Sequence, residues 1–410
     1  MTNIIQKNLI AVAVSAALGT TAYAGEIVIN TDTSDPAPKA AFEAVIAGFE
    51  AENPDVSVTW NLFDHEGYKS SIRNFLTADA PDLANWYAGN RMLPFVNAGL
   101  FASVDDVWEE NGLNDSLASA AGSMTIDGHK WGVPYTYYQW GVYYRKDIFA
   151  DLGIDVPTNW EEFKAAGATL NENGVTPITI GSKYLWTAGG VFDYLNLRTN
   201  GYDFHMALTK GEIAWTDDRV RATMANWLEL IEADFFLENH AAYSWQEALP
   251  PMVRGEAAMY IMGNFAVAPL REAGLTDDQL GFFQFPEITP GIELAEDAPT
   301  DTIHLTANAK NPVDAKRFLA YLARADVQTE INATLGQLPI NSGSTVADDV
   351  FLQAGFEMLS NTNGIAQFFD RDAPAEMAKA GMEGFQEFMV KPDRLEAILE
   401  RLEKARQRAY

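Results

Sequence analysis

The sequence predicts an α/β protein of two lobes, each a parallel-rich sheet flanked by helices, with a ligand cleft between them and hinge crossovers joining them. Three observations carry this. At 410 residues the chain exceeds what one hydrophobic core usually supports, so two domains are expected. Strand-period and helix-period patterns alternate as β-α-β-α-β through the first ninety residues, the rhythm of a parallel sheet with helices on both sides. Seven of the seventeen residues from Trp131 to Asp147 are Trp or Tyr. Each offers a flat apolar face and a polar tip that a purely structural core would not need. This stretch reads as the crossover between halves, passing a cleft whose ligand has flat faces and many hydroxyls.

The elements follow in order. Glu26–Asn30 is a short buried strand, followed by the polar loop Thr31–Asp35. Pro36 or Pro38 opens a helix, with Phe42, Val45, Ile46 and Phe49 on one face, and Asn53-Pro54 ends it. Val56, Val58, Trp60 and Leu62 alternate as a second strand, and Tyr68, Ile72, Phe75 and Leu76 mark a second helix. Leu83–Tyr87 is a third strand. Ligands of such sheets bind beyond the carboxyl ends of the strands, which singles out the loops 31–35, 63–67 and 85–91.

Within the aromatic stretch, Pro134 and Gly141 bracket a loop, and Val142–Arg145 alternate as a strand. Pro157–Phe163 is a capped helix start, with Thr158 or Asn159 able to accept from free N–H groups. Thr176–Ile180 is a strand, and residues 187–240 are mainly helical, with Met224, Trp227, Leu228 and Ile231 on one face. Gly255–Met262 is a strand running into Gly263-Asn264-Phe265, and Gly281–Phe285 returns toward the first half. A Pro- and acid-rich loop at 287–302 precedes the strand Ile303–Thr306. Asn311-Pro312 starts a helix, residues 335–345 form a Gly- and Ser-rich connection, and the end of the chain is helical. The lobes are accordingly 25–135 with 286–340, and 136–285 with 341–410.

Residues 1–24 read as a cleaved signal peptide, with Lys7, an apolar run from Leu9 to Leu18, and Ala22-Tyr23-Ala24. The run is too short to span a bilayer. A soluble periplasmic protein without membrane insertion is therefore expected. The net charge of −29 repels nucleic acid and anionic lipid. With no cysteine, a disulfide scaffold, a cysteine metal site and a cysteine nucleophile are excluded. The five histidines are scattered without metal spacing, and no nucleophile-elbow, P-loop or dinucleotide motif occurs. No metal, cofactor or catalytic residue is expected.

Polar and aromatic residues cluster at predicted strand ends. They are Ser34 and Asp35, Asp64 and His65, Asn85 and Trp86, Tyr137 and Trp140 within Tyr135–Trp140, Trp186, Trp245, Asn264, and Asp301 with His304. Carboxylates and amides can take two sugar hydroxyls at once, while indole rings stack on a pyranose face. Singly, each has a structural reading: a loop Asp as turn or cap, a Trp as core, Asn264 as turn former. Their joint placement at one edge of two sheets makes them ligand candidates.

The chain resembles the family 1 extracellular solute-binding proteins that feed sugars to ABC importers. The resemblance is carried in order by Ala78–Asn85, Phe95–Val104, Asp127–Pro134 through Tyr143–Phe149, Pro157–Phe163, Arg254–Met259, Ala315–Tyr321 and Gly336–Ile340. It implies a periplasmic binding protein fold, a sugar closed between lobes, no enzymatic activity, an inner-membrane ABC permease as partner, and a monomer. Gln367–Pro374 and Glu376–Met382 resemble the branch binding α-glucosides, in which an Arg matching Arg371 and acids matching Asp370 and Asp372 face the cleft. The implied ligand is a glucose-containing disaccharide or small α-glucoside. A polyol or an anionic sugar such as a sulfosugar glycoside, paired with Arg371, is the alternative; a secreted carbohydrate-active enzyme or an adhesive surface protein comes from other classes.

Overall fold

The computed structural model describes residues 25–410; the signal-peptide reading lies outside them. Two sheets carry the architecture. In the first lobe, β1 (Gly25–Thr31), α1 (Pro36–Glu52), β2 (Val56–Leu62), α2 (His65–Ala78) and β3 (Leu83–Tyr87) follow the predicted rhythm. In α1, Phe42, Val45 and Phe49 are buried. All five residues of β3 are buried, as befits a strand covered on both faces.

The crossover is more regular than the predicted loop. β4 (Val133–Tyr137) belongs to the first sheet and β5 (Trp140–Arg145) to the second, leaving only Tyr138 and Gln139 between them. Pro134 is tolerated because β4 is an edge strand and the register slips beside it, at Asp301/Thr302. The second lobe adds α3 (Trp160–Glu172), β6 (Thr176–Ile178), α4 (Trp186–Asn200), α5 (Tyr202–Thr209), α6 (Asp218–Glu232), β7 (Ala257–Gly263) and β8 (Leu280–Phe283). Thr187 to Arg198 of α4 are all buried, which explains why its sequence shows no amphipathic stripe. On α6, Leu230 is buried with Met224 and Trp227, while Leu228 and Ile231 are only partly covered.

The chain then returns through β9 (Glu296–Asp297) and β10 (Thr300–Leu305), and continues as α7 (Pro312–Leu322) and α8 (Ala325–Leu335). It ends with α9 (Val350–Ser360), β11 (Ile365–Ala366), the one-turn α10 (Phe369–Asp372), α11 (Ala375–Val390) and α12 (Leu395–Ala409). The first sheet has the order β2-β1-β3-β10-β4 and the second β8-β5-β7-β6. Both are mixed: β1 pairs parallel with β2 and β3, and β6 with β7, but β10, β5 and β8 run antiparallel to their neighbours.

Two separate hydrophobic cores result. One gathers Ile27, Phe42, Trp86, Val133 and Phe318; the other gathers Val142, Phe192, Trp227, Met259, Phe385 and Leu402. A small third cluster joins Ala298, Leu338, Leu352 and Leu359, with Tyr137 of the crossover packed against it.

Candidate functional site

A cavity of about 200 Å³ opens between the lobes. In the first lobe it meets the carboxyl ends of β1 and β3 and the first turn of α2. β10 runs antiparallel to β3 and places Asp301 opposite Tyr87, so its opening residues reach the same edge.

The first-lobe side is a polar cluster centred on Asp32. This buried carboxylate accepts from the Asn85 Nδ2, from the Tyr87 hydroxyl at 3.1 Å, and lies 2.9 Å from the His65 Nδ1. Burial by itself would raise the Asp32 carboxyl; the His65 imidazole and the hydrogen bonds from Asn85 and Tyr87 outweigh it and leave it below its ordinary value. Reaching this cluster from the second lobe, the buried Arg371 donates to the Thr300 carbonyl at 2.7 Å, to Asp301 at 3.0 Å and to the Tyr138 hydroxyl at 3.1 Å. Its guanidinium lies 4.3 Å from the centroid of Tyr87. Burial pushes Asp301 up to about 6 against the pull of Arg371.

The second-lobe side is aromatic. Trp140 meets Trp186 edge-on at 6.1 Å and Phe368 at 4.8 Å, while Phe265 packs edge-on against Trp245 at 5.1 Å and Tyr138 at 5.3 Å. Two non-glycine residues with left-handed φ serve this wall: Leu185 (71°), just before Trp186, and Phe368 (144°). Such backbone costs about 1–3 kcal/mol per residue and persists where surrounding structure enforces it.

The lobes also touch across the cleft. The Trp186 indole N–H donates to Glu66 at 3.3 Å, Arg91 lies 3.1 Å from Asp370, and the Asn90 amide donates to the Asp372 carbonyl at 2.6 Å. The cavity therefore sets mainly hydrogen-bonding groups of the first lobe against a mainly aromatic wall of the second.

Of the sequence-derived candidates, Asp35, His65, Asn85, Trp140, Trp186, Trp245, Asp301 and Arg371 line this cavity. Six do not. Ser34 is exposed beside lining residues Thr33 and Asp35. Asp64 is the N-cap of α2, accepting from the Gly67 N–H at 2.8 Å. Trp86 points into the first core, 3 % exposed, with its N–H on the Arg91 carbonyl at 2.9 Å. Tyr137 exchanges backbone hydrogen bonds with Leu338 at the crossing. Asn264 sits behind Phe265, accepting from the Tyr143 hydroxyl at 3.0 Å and donating to the Gly336 carbonyl. His304 is wholly buried, bonded to Thr302 and the Trp131 carbonyl at 2.6 Å each, and stacked on Phe101. It lies three residues down β10 from Asp301, paired with Ala84 rather than with the strand end.

The reading missed Asp32, Lys69, Tyr87, Gln246, Phe265 and Phe368 as lining residues. Strand alternation could have found Tyr87, since Asn85 and Tyr87 must share a face that excludes Trp86. Asp64→Ala is therefore expected to leave ligand affinity unchanged and to lower stability by about 1 kcal/mol through loss of a helix cap. Thermal unfolding alongside calorimetric titration checks both halves of that expectation.

Among the described residues, no group of three or more His, Asp or Glu is placed to hold a metal ion, and no helix is long and apolar enough to cross a membrane. Residues 33–329 match the family model of the bacterial extracellular solute-binding proteins. The chain belongs to this family. Its relatives include an uncharacterized ABC transporter extracellular-binding protein of Pyrococcus horikoshii, 28% identical over 73% of this chain and 68% of the relative. A multiple sugar-binding protein of Streptococcus mutans is 24% identical, covering 70% of this chain and 68% of its own. Among solved structures, the bacterial solute receptor AcbH is similar with a TM-score of 0.87 and 32% identity, over 94% of this chain and 99% of that one. A chitin oligosaccharide binding protein shares the fold at a TM-score of 0.85 and 22% identity, over 94% and 98%. The solute-binding protein described above is thus the substrate-binding component of an ABC sugar transporter and not an enzyme. A sugar ligand and an ABC permease are the partners this membership implies.

Proposed function

We propose that this solute-binding protein works in the periplasm as a monomer and captures a neutral sugar of one or two pyranose rings. A glucose-containing disaccharide or small α-glucoside is the first reading. The observation that carries it is the pairing of the Trp140–Trp186–Trp245–Phe265 wall with the Asp32–Asn85–Asp301–Arg371 cluster across one cavity. A pyranose presents apolar C–H faces to the rings and hydroxyls around its rim to the acceptors. We assign Asp35, His65, Asn85, Trp140, Trp186, Trp245, Asp301 and Arg371, together with Asp32, Tyr87 and Phe265, to ligand contact.

Charge argues for a neutral ligand over an anionic one. The lining holds Asp32, Asp35, Asp301, Asp370 and Glu272 against Lys69, Arg371 and the His65 imidazole, which already faces Asp32; Arg371 already faces Asp301 and two further acceptors. A sulfate would meet a carboxylate-rich wall and a guanidinium already paired.

A second reading, a single galactopyranose, is favoured by the likeness to AcbH, for which an exclusive preference for β-D-galactopyranose is described. The test is a thermal-shift panel of glucose, galactose, maltose, trehalose, sucrose, a polyol and a sulfosugar, followed by calorimetry. One neutral sugar should raise the melting temperature; a ligand at about 100-fold its Kd adds about 2.7 kcal/mol. Maltose-class binding supports the first reading and galactose alone the second. A response only to the sulfosugar, or to nothing, removes both.

A further inference from the structure

Behind the cavity wall lie three wholly buried acidic residues, of which an arginine pairs with one. They are Asp193 on α4 and the neighbours Glu296 and Asp297 on β9, with the partly buried Asp372 of α10 beside them. Arg198 is committed to Glu296, at 2.5 Å, and to the carbonyls of Phe285 and Ala295. The Tyr194 hydroxyl, with one hydrogen to give, lies 2.7 Å from the Trp140 carbonyl and 3.0 Å from Glu296. Asp193 accepts the Phe369 N–H through Oδ2 at 2.7 Å, but no donor reaches its Oδ1. Neither oxygen of Asp297 has a donor.

His205 on α5 supplies no compensating charge. Its Nε2 lies 3.8 Å from the Asp193 Oδ1. The oxygen of Asn196 is taken by Asn200 and the Thr223 hydroxyl, so its amide N–H faces the His205 Nδ1 at 3.0 Å. Nδ1 is therefore an acceptor, the hydrogen sits on Nε2, and the ring is neutral; burial holds it down to about 3. With one backbone N–H on Asp193, no donor on Asp297 and no free cation beside either, two ionised carboxylates here would bury uncompensated charge.

We propose that the Asp193–Asp297 pair is a proton-binding site, holding one proton in the resting protein as a neutral carboxyl beside a carboxylate. The proton removes one of two facing charges, which relieves the repulsion at Asp193; Asp193 accepts the Phe369 N–H and so ties down the turn 368–372 that presents Phe368, Asp370 and Arg371 to the cavity. Asp372 ties the same turn from the other side, accepting the N–H groups of Gln367 and Phe368. The charged and titratable groups facing the pair are Glu296, Arg198, Tyr194, His205, Asp370 and Asp372, with Tyr202 facing Asp372. Burial, and then repulsion between the two carboxyls, raises Asp193 well above the carboxylate range; burial, Asp372 and Glu296 do the same for Asp297. With the folded value above the unfolded one, this site's contribution to stability is full below about pH 4 and is lost as pH rises toward the folded value.

Infrared spectroscopy of the whole protein without sugar tests this independently of ligand identity. Asp301 and Asp372, pushed up to about 6, have ionised at about pH 8. The wild type should then still show the carbonyl stretch of a protonated carboxyl, and D297N, whose amide donates in place of the acid, should lack it. D297N should also lose less melting temperature than the wild type between about pH 5 and pH 8. A wild-type spectrum without the band overturns the proposal, as does a band unchanged in both D297N and D193N. If D297N fails to fold, the wild-type spectrum and D193N decide.

Discussion

Replacing Asp32 by alanine should weaken binding of the best sugar from the panel by about 100-fold or more, roughly 3 kcal/mol. Asp32 is the one side chain that holds Asn85, Tyr87 and His65 together. Its removal deletes an acceptor and also frees three neighbours that its oxygens orient. Each freed donor is then buried without a partner or turned away from a sugar hydroxyl, so the loss exceeds that of one hydrogen bond. Asp32→Asn keeps the shape but sets an N–H against the Asn85 amide or the Tyr87 hydroxyl, and should recover only part of the affinity. Calorimetric titration measures the loss, and near-ultraviolet circular dichroism verifies that the lobes remain folded. An Asp32→Ala variant binding within threefold of the wild type would remove Asp32 from the site.

Trp186→Ala should cost about 30- to 100-fold, again read by calorimetry. The indole forms part of the aromatic wall, edge-on to Trp140 and at 6.2 Å from Phe265. Losing its face removes roughly 2 kcal/mol of apolar contact with a pyranose. Its N–H reaches Glu66 in the other lobe, so the same residue also contributes to closure. Trp186→Phe separates the two roles. It keeps a ring and loses the cross-lobe hydrogen bond, worth about 1 kcal/mol or fivefold. Combining Trp186→Phe with Glu66→Ala, which removes the acceptor, should then add little to either single change, because both break one interaction. Fully additive losses would mean that the N–H serves the ligand and not the clamp.

The local elements were largely legible in the chain. The helix faces of α1, α2 and α7, and the strands β1 to β3, follow from apolar period and from stops such as Asn53-Pro54. The crossover was legible in position but not in form. Pro134 signals a loop, and only the edge position of β4 makes room for it in a strand. For the site, loop and strand-end position pointed to Asp35, His65, Asn85, Trp186 and Trp245, all of which line the cavity. The same rule also collected Asp64, Trp86 and His304, since it selects a neighbourhood and says nothing of where a side chain points.

What the sequence by itself determined is therefore the chemistry on offer: two α/β lobes, an aromatic crossover, and polar residues at strand ends, each set by short-range patterns. Only the tertiary structure decided which carboxylate becomes the hub and which becomes a helix cap, Asp32 or Asp64. It also brought Arg371 back some 70 residues to meet Asp301. The physical reason is that facing is settled by contacts distant in sequence. Hydrogen-bond partners such as Asn85 and Asp32, 53 residues apart, meet only after β1 and β3 have paired in the first sheet, and no local periodicity encodes that meeting.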